Sequence, residues 1–272
     1  MTKRAAVFGA SAFVLMNLVA GAQVADLPAA TDAHGGFGFP DQSGTRLLVT
    51  SELARPEQLT EAICGPGVRV PIRFERRQTR DARGDSNRTS RNFDKLPGSI
   101  FVVSGTAPVP DTPCLLASEV LLAGSKVLNI SAPEDSGACL QQERFATLRE
   151  RRVVHCWPLA RVGSEQHVAL LDFEIRGKDA LASVVFVDGS RAVFADLHAE
   201  VRGAGEDLWR VDDQGVLSPE GFKVVCVLQR GDWYALGTAW AAGEGESLSL
   251  WVSEGAERLT KVINDYWYQA PR

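Results

Sequence analysis

Hydrophobic residues in the second half of the chain fall in short runs divided by turn residues. Apolar-rich runs recur at 168–175, 183–187, 192–201, 209–211, 223–229, 233–240 and 247–252. Between them stand Asp188-Gly189, Gly203 and Gly205, Asp213-Gln214-Gly215, Ser218-Pro219-Glu220-Gly221, Arg230-Gly231-Asp232, and Gly243 and Gly245. Short strands at this spacing, joined by Gly-rich turns, predict an antiparallel barrel or sandwich over 161–272. The segment 257–268 reads two ways. Leu259, Val262, Ile263 and Tyr266 suit a helix, whereas its β-branched and aromatic content suits a strand. The adopted reading is a hairpin through Glu254-Gly255.

The first half is less regular, and 23–160 reads as a mixed α+β region. The stretch His34-Gly35-Gly36-Phe37-Gly38-Phe39-Pro40 reads as an irregular lead-in. Strands are expected at 46–50, 68–74 and 101–104. Two short helices are expected. One covers 56–63, with Pro56 in its first turn, Glu57 and Glu61 early and Gly65 just past its end. The other covers 137–152, where Leu140, Arg144, Phe145, Leu148 and Arg152 follow a 3–4 spacing. The fold class is therefore mainly β, a β-rich α+β chain.

Between Phe74 and Phe93 almost nothing is apolar. From Arg69 to Lys95 nine basic residues stand against four acidic ones. Such a segment buries too little surface to offset its ordering entropy, so 78–92 is expected to be a mobile basic loop. The cations from Arg73 to Arg91 are a candidate contact for an anionic surface such as lipid headgroups or a cell-wall polymer.

The N-terminus changes the setting. Lys3 and Arg4 precede an uncharged apolar run over 5–19, followed by the small residues Ala20-Gly21-Ala22. This order is that of a cleaved secretory signal peptide, 1–22. The run is too short and too rich in Ala and Gly for a membrane anchor. The protein is thus expected to be exported, periplasmic or secreted, and not membrane-spanning. Charge adds one exclusion. Over 23–162, 17 Lys and Arg oppose 16 Asp and Glu, but over 163–272 only 10 oppose 18. An acidic half lacks the basic footprint that nucleic acid requires.

Export makes disulfides the expectation for cysteines. Cys226 lies inside the apolar run Val224-Val225-Cys226-Val227-Leu228 and reads as a buried thiol. The other four allow three pairings. Cys64 with Cys114 and Cys139 with Cys156 is the expected one. With no C-x-x-C pair, a zinc site is disfavoured, and no cofactor is expected.

The common enzyme signatures are missing from the sequence: no G-x-S-x-G, no H-E-x-x-H, no Walker loop and no G-x-G-x-x-G occurs. Four histidines, His34, His155, His167 and His198, limit any His-based chemistry. The best local set is Asp196, His198 and Glu200. Strand periodicity puts these three on one face, ~7 Å apart in succession. Asp172 and Glu174 alternate in the same sense and are candidate partners for a shared metal. The competing view is a solvated strand face. His155-Cys156 is a poor nucleophile–base pair, since neighbours on a strand point to opposite faces. Trp209, Trp233, Trp240 and Trp251 fall in the predicted sheet, as core packing or as stacking platforms. Arg83-Gly84-Asp85 and Arg230-Gly231-Asp232 resemble the cell-adhesion tripeptide, a weak signal at polar turns.

The leading expectation is an exported, non-catalytic binding or interaction protein of unknown ligand. The alternative is an extracytoplasmic hydrolase, with or without a metal, using His198 with nearby carboxylates.

Overall fold

A computed structural model describes residues 35–81, 86–133, 137–201, 217–242 and 244–269. The expected signal peptide, His34, Trp209 with its run, and Arg83-Gly84-Asp85 lie outside them. The chain is β-rich, and its strands form two bodies.

The first is a closed antiparallel barrel of β1 (Gly35–Pro40), β2 (Arg46–Val49), β3 (Leu59–Cys64), β4 (Val68–Gln78), β5 (Gly98–Val103) and β6 (Cys114–Ser118), in the order β1-β2-β5-β4-β3-β6. A closed barrel thus falls in the N-terminal region, where a mixed one was expected. Two expectations need correction here. The segment at 56–63 is a single 3₁₀ turn, Pro56–Gln58, followed by β3. Its helical start signals lose to pairing with β4 and β6 on both sides. The supposed irregular lead-in is β1. Its glycines point into the barrel, where a Cβ on Gly38 would lie 2.9–3.0 Å from Leu48, Leu116 and Val49. Its phenylalanines, Phe37 and Phe39, point out and are fully buried.

The chain leaves the barrel through α1 (Glu119–Leu122), capped by Ser118. It enters the second body with β7 (Lys126–Val127) and β8 (Ile130–Ser131), and passes through α2 (Gln142–Leu148), the helix expected within 137–152. Eight long strands follow: β9 (Val153–Val162), β10 (Gln166–Phe173), β11 (Asp179–Asp188), β12 (Arg191–Glu200), β13 (Phe222–Arg230), β14 (Trp233–Ala242), β15 (Gly245–Glu254) and β16 (Arg258–Tyr268). The last two form the hairpin through Glu254-Gly255.

The sheet order is β7-β13-β14-β15-β16-β12-β11-β10-β9-β8. Its two edge strands are therefore pieces of one segment. Val127 pairs with Leu228 on β13, and Ile130 pairs with Val162 on β9. Between them Leu128 donates to the Val227 carbonyl at 2.9 Å, and Gly163 donates to Asn129 at 2.8 Å. The sheet is a roll stitched along 126–131. All contacts between neighbouring strands are antiparallel except β12 with β16, which meet in parallel at Phe194↔Arg258.

The inner face of the roll holds one apolar cluster, including Val168, Val184, Phe186, Val227, Leu236, Trp251 and Leu259. The turns at one end are clamped. Arg191 donates to the carbonyls of Asp232, Gly255 and Ala256, and Tyr234 donates to Asp188 at 2.6 Å. Burial, with Asp188 beside it, pushes the Tyr234 hydroxyl up to about 12. The outer face is covered twice. Phe145 of α2 sits on β9–β12 with Phe194 and Leu171, and the barrel sits on β13–β16. In that barrel–roll interface, Phe37, Phe39, Phe93 and Ile100 meet Cys226, Leu228, Leu248, Leu250 and Trp267. Phe39 packs edge-on against Phe93 and Trp267, with ring centroids 6.0 and 5.4 Å away.

Both expected disulfides are present, Cys64–Cys114 and Cys139–Cys156. Closing the 17-residue separation of the latter contributes on the order of 3 kcal/mol. Cys226 is a free, buried thiol pushed up to about 12 by burial. Next to it a Cβ on Gly237 would lie 2.6 Å from its sulfur.

The basic segment is more ordered than expected where it is described. Arg88 donates its backbone N–H to Tyr268 at 3.0 Å and pairs with Asp265 at 3.2 Å. Ser90 binds Asp111, and Asn92 and Phe93 are buried. Arg88 thus fastens the segment to β16.

Two predictions follow from this packing. Phe39→Ala removes the shared ring of the interface and should cost ~3–5 kcal/mol in urea unfolding. Glu246, buried on β15 with Lys223 3.8 Å away, has its carboxyl raised by burial despite the lysine. A raised folded-state value means its contribution is full at acid pH and is lost as the carboxyl ionises. Glu246→Gln should therefore raise Tm at neutral pH, with the gain vanishing toward the ordinary carboxyl range. An equal gain at both ends of a pH series of melts would contradict this.

Candidate functional site

Strands β11 and β12 pair along their whole length, with Ser183↔Asp196, Leu181↔His198 and Asp179↔Glu200. Phe194 and Leu181 belong to the outer cluster under α2. Alternation therefore puts Asp196, His198 and Glu200 on the outer face, as the spacing predicts. Their side chains have different partners.

Asp196 is taken up by the fold. Arg149, just after α2, donates to both its oxygens at 2.8 and 3.0 Å, and Ser183 donates at 2.5 Å. The same guanidinium lies over the Phe194 ring at 4.1 Å. This network locks the helical segment to the sheet.

His198 stands further along, two-thirds exposed, with Nδ1 3.6 Å from Asp179. Asp179 also receives Arg151 at 2.6 Å, and that hydrogen bond is the main reason its carboxyl lies below the usual range. His198 and Glu200 line an open depression of about 510 Å³ with Arg176, Lys178, Asp179 and Ala199. Arg176 is held by Glu174 at 3.1 Å and by the Glu150 carbonyl. The depression thus has a mixed rim of cations and carboxylates set on strand ends and the short β10–β11 turn.

The proposed partner carboxylates are elsewhere. Asp172 pairs in register with Ala182, an inner-face residue, so it lies on the opposite side of the sheet from His198. It binds His155 at 3.3 Å. Glu174 is bound by Arg152 and Arg176. Among the described residues no group of three or more His, Cys, Asp or Glu could hold a metal ion. Asp179 is the partner the sequence reading missed. It sits nineteen positions away, and only the β11–β12 register brings it to His198.

His155 stacks on Trp157 with ring centroids 5.1 Å apart, while Cys156 is in a disulfide. The tryptophans pack. Trp251 is buried and donates to Thr238 at 3.0 Å. Trp240 stacks on Phe222, and Trp233 lies under Arg230. Arg230 also binds the Ala123 carbonyl at 3.0 Å, so Arg230-Gly231-Asp232 does not present its arginine freely. In the basic segment Arg77 is bound to the Leu53 carbonyl and Arg88 to β16.

No protein-family model, no curated protein and no solved structure matches the chain. Among the described residues no helix is long and apolar enough to cross a membrane.

The two acidic–basic pairs on β12 should separate in a stability assay. Asp196→Ala leaves Arg149 half-buried without its carboxylate and should cost about 2 kcal/mol. His198→Ala, on an exposed face, should stay within ~0.5 kcal/mol. Similar losses for both in urea titrations would show that His198 is structural too.

Proposed function

We propose that this chain is an exported, non-catalytic binding or interaction protein, and that the outer-face depression around His198 is its contact surface. The observation carrying this is the shape and chemistry of that depression. It is shallow, open and rimmed by opposed charges on rigid strand ends. Such a surface suits contact with a polar partner. Catalysis of hydrolysis favours a recess that excludes water and strengthens its electrostatics. Export is supported by the signal-like N-terminus together with the two disulfides.

The hydrolase alternative keeps one favourable feature, an exposed His198 oriented by Asp179. It loses Asp196 to Arg149. Among the basic residues, Arg73, Arg76 and Arg91 are exposed on the barrel side and support a secondary contact with an anionic surface.

The test is metal content and turnover. Purified protein should carry no stoichiometric divalent ion and should not hydrolyse p-nitrophenyl esters or phosphates. A stoichiometric ion, or hydrolysis, that disappears in His198→Ala would overturn the non-catalytic reading.

A further inference from the structure

We draw no further inference here: the strongest candidate, the arginine-bearing outer face of β4 on the barrel, restates the anionic contact already proposed, and its exposed Arg73 and Arg76 are interleaved with the exposed Glu75, so nothing in the structure shows what covers it.

Discussion

One short segment, 126–131, occupies both edges of a ten-stranded sheet, and the second body depends on it. An open sheet of that size would leave two rows of unpaired N–H and C=O groups, templates for aggregation. Here β7 satisfies β13 and β8 satisfies β9 within a few residues. The sheet must therefore curl until its ends meet across that segment. The curl encloses an inner face and creates two outer faces needing cover. Because the segment follows directly from β6 through α1, it also fixes where the barrel docks. The barrel can only reach the outer face of the strands on that side of the roll, and its own strands touch β13 and β16. Arg88 then secures the far side by holding β16.

That docking explains the least expected feature of the N-terminal region. Six strands make a narrow barrel, and its interior already holds Leu47, Val49, Phe101 and Leu116. β1 fits between β2 and β6 because Gly36 and Gly38 add nothing inward. The same strand drives Phe37 and Phe39 into the interface outward. Gly-Phe-Gly-Phe is a period-2 pattern, so the signal was present in the sequence. It was misread because glycine is depleted in strands and usually marks turns. The helix expected at 56–63 failed for a related reason. Its capping signals were genuine, but they act locally, and two neighbouring strands outweigh them.

The C-terminal half was more legible because its long strands alternate with turn residues that leave little choice. Strands, hairpins and the buried Cys226 could be read from local pattern, and the two disulfide pairs found are the expected ones among three possible pairings. Strand periodicity also placed Asp196, His198 and Glu200 on one face. Their partners were not legible. Arg149 reaches Asp196 only because α2 lies on the sheet, and Asp179 reaches His198 only through register. Asp172 and Glu174 alternated in the right sense along the chain, but Asp172 lies on the opposite face. Each antiparallel register decides which parity faces inward, and on β10 and β12 the choices are opposite.

The same parity gives the roll two chemically unlike faces. Even positions on β12 look outward to charge, and odd positions look inward to Leu197 and the apolar cluster. Inward and outward chemistry would normally be insulated by continuous pairing. Among the described residues β12 and β16 share a single parallel bridge, Phe194↔Arg258. Lys261 shares the parity of the inner face because β16 bulges between Ile263 and Lys261, opposite Leu250 and Trp251. Without that bulge the parity of Lys261 would turn its ammonium toward the barrel, where Leu250 and Trp267 leave no place for a charge.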